Sequence, residues 1–177
     1  MTGEESEGYM RKIMFIGRTG AGKTTLTQAL KGETITYKKT QDVQHFNAII
    51  DTPGEYCENK ELAHALIIYS HEADILGLLI DASETYSLYS PNIASLGTRE
   101  VVGIVTHIHD PYANLEQAAL WLELAGCRKL FFVDSVTGDG IPELIDYLEQ
   151  EDGGISWDEK YIQQRQSYQE YSELAEG

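Results

Sequence analysis

Residues 17–24 read GRTGAGKT, and the residue types in that octet suit one task, holding a chain of phosphates. Gly17, Gly20 and Gly22 let the backbone curl so that successive N–H groups face inward at phosphate oxygens. A helix starting there adds the positive end of its dipole. Lys23 is then placed to reach the β- and γ-phosphates, and the Thr24 hydroxyl to ligate Mg²⁺. A second group lies in DTPG, residues 51–54. Asp51 closes an apolar run, where a Mg²⁺-orienting carboxylate belongs, and the Gly54 N–H can meet a γ-phosphate, making the chain after it nucleotide-sensitive. The third is GIVTHIHD, residues 103–110, in which His107 and His109 straddle Ile108 and precede Asp110. Two histidines two apart at a strand end face the same way and suit Zn²⁺ or Ni²⁺. No cysteine or third histidine lies near them in sequence. Stacking on, or hydrogen bonding to, a base and plain exposure at the rim are the competing roles.

These groups need elements to position them. KIMFIG (12–17), FNAIID (46–51), ADILGLLID (73–81), VVGIVTH (101–107) and KLFFVDS (129–135) are short apolar runs that predict five buried strands. Between them AGKTTLTQALKG (21–32), ELAHALIIYSHE (61–72), NLEQAALWLELAG (114–126) and GIPELIDYLEQ (140–150) carry helical spacing. Gly32 predicts the stop of the first helix, and Pro142 sits in the first turn of the last, where a missing N–H costs nothing. Strand–helix alternation with continuously apolar strands predicts an α/β fold of three layers with a mostly parallel central sheet, and the octet between its first strand and first helix makes that a P-loop NTPase fold. Ligands of such sheets bind at the carboxyl ends of the strands. Gly17, Asp51, Asp81, His107 and Ser135 are those ends, and they are expected to converge.

The chain has 177 residues, of which 42% are hydrophobic and 24% charged. That is enough for one domain with a real core, expected over residues 11–150. Residues 1–10, MTGEESEGYM, read as a short disordered leader, and the Glu/Gln/Tyr-rich residues 151–177 as an acidic tail, helical or disordered. The formal net charge of −16 argues against nucleic acid or an anionic membrane as partner. No apolar run approaches the roughly 18 residues of a membrane helix. Cys57 and Cys127 form no metal or redox spacing and fit free thiols in a reducing cytoplasm. His45, His64 and His71 have no constellation around them and read as loop or helix-surface residues.

The phosphate loop with Thr24, a threonine in the following loop and D-T-P-G resemble the small GTPase class of P-loop NTPases. Within that class, GRTGAGKTTL, the YKKTQ of 37–41 and the DTPGEY of 51–56 resemble the ethanolamine- and propanediol-utilisation proteins of bacterial microcompartment operons. The resemblance extends over residues 11 to 150 and implies a Mg²⁺-dependent domain that binds GTP or ATP. It gives the phosphate contacts to Gly17, Thr19, Gly20, Ala21, Gly22, Lys23, Thr24 and Thr25, and the metal to Thr24, Thr40 and Asp51. By it, Thr40 is the switch-loop threonine that closes on Mg²⁺ and γ-phosphate; read from the residues alone, Thr34 and Thr36 are candidates too. Lys23, Thr40, Gly54 and Glu55 become the catalytic set. Glu55 stands where many GTPases carry the glutamine that orients attacking water. A glutamate there can position water, accept a proton or face solvent.

In the same class the fourth core strand runs into [N/T]-K-x-D, whose aspartate accepts two hydrogen bonds from guanine. Thr106 matches the first position, His107 replaces the lysine, His109 replaces the aspartate, and Asp110 stands one residue late. Asp110 reaches the base only through a one-residue register shift. Ser135 and Val136 stand where the class has S-A-x, with a backbone N–H facing the guanine carbonyl. A neutral imidazole offers one acceptor where carboxylate offers two and a charge. Losing a charge-assisted hydrogen bond costs about 1.5–3 kcal/mol of guanine binding. Three activities therefore fit: GTPase-like hydrolysis linked to microcompartment catabolism, phosphoryl transfer to acetate as described for the ethanolamine-type branch, and nucleotide-gated assembly with negligible turnover. The resemblance implies microcompartment shell or enzymes as partners, and a cytoplasmic location associated with a microcompartment.

Overall fold

The structure, a computed structural model, describes residues 11–18, 20–38, 49–51, 63–64, 66–68 and 71–150; side chains are described for all of these except 33–38 and 49–51. Five parallel strands form one sheet: β1 (Ile13–Ile16), β2 (Ile49–Asp51), β3 (Ile75–Asp81), β4 (Glu100–Thr106) and β5 (Leu130–Phe132). Helices α1 (Lys23–Lys38), α2 (Leu115–Leu124) and α3 (Ile141–Glu149) connect or follow them, and a 3₁₀ turn spans Ile93–Leu96. Residues 63–64 and 66–68 are also helical.

The strand runs sort into two faces because side chains alternate along a strand. Ile13, Phe15, Ile75, Leu79, Val102 and Ile104 pack with Leu26 and Leu30 of α1 and Leu144 and Leu148 of α3. Met14, Ile16, Leu76, Leu78, Ile80 and Val105 face the other way, onto Leu66 and onto Ala118 and Leu122 of α2. The result is the three-layer sandwich expected from the sequence. Two strand glycines make room for it. A Cβ on Gly77 would lie 3.1 Å from both Ile104 and Phe15, and one on Gly103 only 2.6 Å from Leu130.

The strand order is β2-β1-β3-β4-β5, with Phe15 in register with both Asp51 and Gly77. From β1 the chain steps to one side for β2 and then to the other for β3, so the switch point, where a crevice opens, lies at the carboxyl ends of β1 and β3. That is where residues 17–18 and 20–22 lie. One expected boundary fails. Helix α1 runs through Gly32 to Lys38 rather than stopping, and carries the backbone of Thr34 and Thr36 with it, so neither belongs to a loop after the helix. Gly32 is not in the left-handed conformation of a C-cap and nothing crowds it. A mid-helix glycine costs only about 1 kcal/mol, which the rest of the helix absorbs. The leader, the tail, Thr19, Thr40, His45, Gly54, Glu55 and Cys57 lie outside the described residues.

Candidate nucleotide site

The loop between β1 and α1 is built on two left-handed glycines, Gly20 at φ +85° and Gly22 at φ +93°. Other residues enter that region only at a cost, which is why the octet needs glycine there. The Ala21 N–H donates to the Arg18 carbonyl at 3.0 Å to close the turn, and the Leu26 N–H donates to the Gly22 carbonyl at 2.8 Å to start the helix. Lys23 is 7% exposed, and its ammonium donates to the Gly17 carbonyl at 2.6 Å, spanning the mouth of the loop. Thr24 and Thr25 stand exposed in the first helical turn. The loop therefore offers a buried cation, a helix N-terminus and curled backbone at one point.

The end of β4 is fastened to that loop. Thr106, 2% exposed, donates through its hydroxyl to the Ala21 carbonyl at 2.6 Å. Its contact with the Ile80 carbonyl is long, 3.4 Å, and one hydroxyl proton serves one strong bond, so the shorter is the effective one. His107 turns the chain at φ +54°, and its ring lies beside Gly22, where a Cβ would meet the imidazole at 3.5 Å. Its Nδ1 pairs with Asp81 Oδ2 at 2.8 Å. The other Asp81 oxygen accepts from the Ser83 N–H and the Ser83 hydroxyl, at 2.8 and 2.7 Å. Burial raises the Asp81 pKa, but the Ser83 and His107 interactions outweigh it, and the carboxyl lies below its ordinary range.

Further out, His109 pairs through Nε2 with Asp139 Oδ2 at 2.5 Å. Asp110 is held in a turn: its N–H donates to the His107 carbonyl, and its Oδ1 accepts from the Tyr112 N–H at 2.8 Å. After β5, Asp134 Oδ1 accepts from the N–H groups of Val136 and Thr137 at 2.9 and 3.0 Å. The Thr137 N–H is the main reason the Asp134 pKa lies below the ordinary carboxylate value; burial opposes it, and the Val136 N–H and nearby His109 add to it. Ser135 is half-buried and Val136 is 89% exposed.

The structure thus brings Gly17, Gly20, Ala21, Gly22, Lys23, Thr106 and His107 to one place, with Asp81 behind them. Asp51 ends β2 one strand away, paired in register with Phe15. The two histidines do not form a metal pair. The strand ends at Thr106, His107 is left-handed, and the rings go to different carboxylates, so the premise that they face the same way fails. Among the described residues no cluster of three His, Cys, Asp or Glu side chains is placed to hold a metal. His64 and His71 are exposed, as expected.

Sequence reasoning missed several partners. Asp81 was legible only as a strand end, and nothing in the sequence marks Asp139 as the partner of His109. Arg18 pairs with Glu84 at 2.8 Å and lies over the Tyr86 ring, and the Tyr89 hydroxyl reaches the carbonyls of Leu79 and Ile16, joining β3 to β1 below the loop. These come from the chain after β3, whose approach to the loop only folding decides.

A left-handed glycine loop with a buried lysine, at the switch point of a parallel sheet whose fourth strand is tied back to that loop, defines a GTPase-like P-loop domain. The fold agrees with the G-domain of FeoB from Methanococcus jannaschii, which superimposes with a TM-score of 0.52 at 19% identity, covering 80% of this chain and 98% of that one. Residues 10–150 match the family model described as "Ethanolamine utilisation - propanediol utilisation", and the chain belongs to that family. It is 39% identical over 142 residues to Propanediol utilization protein PduV of Citrobacter freundii, covering 78% of this chain and 93% of the relative. It is 33% identical over 153 residues to Probable acetate kinase EutP of Escherichia coli (strain K12), covering 82% and 96% respectively.

Proposed function

We propose that this protein binds a nucleoside triphosphate with Mg²⁺ at the loop of residues 17–24 and hydrolyses it, in support of ethanolamine- or propanediol-type catabolism in a microcompartment. The observation that carries the reading is the buried Lys23 ammonium held across a loop of left-handed glycines. The donor set fits Mg²⁺: Thr24 carries a hydroxyl on the exposed first turn of α1, and Asp51 ends the strand beside β1. When bound, the metal neutralises charge on the β- and γ-phosphates. Lys23 supplies a fixed cation to the same oxygens, and the loop amides orient them without reorganisation at the moment of reaction. In this reading Thr40 would close on the γ-phosphate, the Gly54 N–H would contact it, and Glu55 would position the attacking group. Microcompartment shell or enzymes are the partners in this reading, and the cytoplasm its setting. Fluorescent GTP and ATP analogues, titrated with Mg²⁺ and with EDTA, together with phosphate release, test it. Lys23→Ala should abolish binding; a variant that binds like the parent protein would overturn the proposal.

The similarity to Probable acetate kinase EutP over 96% of that protein's length supports a second reading, in which the same site passes the γ-phosphoryl group to acetate. Trapping acetyl phosphate as a hydroxamate separates the two. Phosphate release that ignores acetate supports hydrolysis, and acetate-dependent product supports the kinase.

A further inference from the structure

We infer that this site takes guanine and adenine nucleoside triphosphates with near-equal affinity, because the polar groups that would read guanine are either replaced or engaged with one another. The inference rests on the nucleotide-binding reading above and concerns the base end of the same site.

The class reads guanine with a carboxylate after the fourth strand and a backbone N–H after the fifth. Here the carboxylate position holds His109, whose Nε2 is paired with Asp139. The neighbouring carboxylate is held one residue late, since Asp110 sits in a turn: its N–H donates to the His107 carbonyl and its Oδ1 accepts from the Tyr112 N–H. A register shift that brought it to the base would have to break those bonds. The backbone donor is engaged as well. Val136 and Thr137 both give their N–H groups to Asp134 Oδ1, and an aspartate carboxylate is an ionised acceptor at neutral pH.

The lysine position is also changed. His107 presents a ring beside Gly22 and directs Nδ1 away, onto Asp81. What remains for a base is surface: the exposed side of the His107 ring and the Val136 side chain, 89% exposed. Such surfaces pack on any purine face and do not distinguish exocyclic groups. The phosphate loop, with its lysine and glycines intact, supplies affinity common to both nucleotides.

The test is a pair of titrations of the full chain with fluorescent GTP and ATP analogues in Mg²⁺, repeated on His109→Asp/Asp139→Asn. The double change restores a carboxylate at the reading position and removes the acid that would repel it. The Kd values for the two nucleotides should agree within about threefold in the parent protein. The variant, its fold checked by circular dichroism, should favour GTP by about tenfold to a hundredfold, the worth of a charge-assisted hydrogen bond. A parent protein that prefers either nucleotide by more than about threefold overturns the inference and leaves nucleotide binding intact. So does a folded variant with an unchanged ratio. No binding of either nucleotide, with Lys23→Ala indistinguishable from the parent, removes the nucleotide reading itself and this inference with it.

Discussion

Thr106→Val probes the joint between the two halves of the site. The valine has nearly the same shape, so the substitution opens no cavity; what it removes is the hydroxyl that donates to the Ala21 carbonyl at 2.6 Å. Thr106 and Ala21 are both 2% exposed, so water does not replace the lost donor. Leaving a buried carbonyl unsatisfied costs about 1–3 kcal/mol. In a domain of this size each kcal/mol lowers Tm by about 2–4 °C, so the expected drop is about 2–12 °C. Urea unfolding followed by circular dichroism measures the free energy, and thermal unfolding the shift. Because the bond also fixes the loop backbone at Ala21, nucleotide affinity should fall for GTP and ATP alike. Thr106→Ser keeps the donor and loses one methyl group, about 0.8 kcal/mol; its nucleotide affinity should match that of the parent protein. A valine variant with unaltered Tm and unaltered nucleotide affinity would refute the claim that this hydroxyl holds β4 to the phosphate loop.

Other expectations follow from single residues. Gly140 caps α3 at φ +76°, and a Cβ there would lie 1.9 Å from the Phe132 carbonyl oxygen. Gly140→Ala should therefore cost at least about 2 kcal/mol in urea unfolding, from left-handed strain plus overpacking. At Gly20, with similar φ but nothing near its Cβ, the same change should cost about 1 kcal/mol from strain alone. Asp81 and Asp134 have folded pKa values below the ordinary one. Their contribution is fully present above the unfolded carboxyl pKa of about 4 and is lost as pH falls through the lower folded values. Asp134→Asn should flatten the acid limb of a Tm-against-pH curve, and an unchanged limb would count against the assignment. Burial pushes the Cys127 thiol up to about 12. In a Cys57→Ser background, a thiol reagent at pH 8 should label Cys127 only after unfolding; rapid native labelling would contradict its burial.

Much of this molecule was legible before folding. The five strands and the helices after them announce themselves because apolar runs and 3.6-residue spacing are local properties of the chain. Gly20, Gly22 and Lys23 were legible for a similar reason, since their task is done within eight residues of backbone. The overrun of Gly32 was not, because one glycine weighs little against a helix packed on a sheet. His107 and His109 misled for a geometric reason. Strand alternation puts residues two apart on one side, but the strand ends at Thr106 and His107 turns left-handed.

By itself, then, the sequence determined the loop proposed to hold the phosphates: the glycines, the lysine, and the strand and helix that flank them. The tertiary structure decided the pairings around the proposed base end. Asp81 lies 26 positions from His107, Asp139 lies 30 from His109, and Thr106 lies 85 from Ala21. The first two pairings join neighbouring strand ends, β3 with β4 and β4 with β5, while the third reaches past β3 from β4 to the loop after β1, and no local pattern records which side chains will meet there.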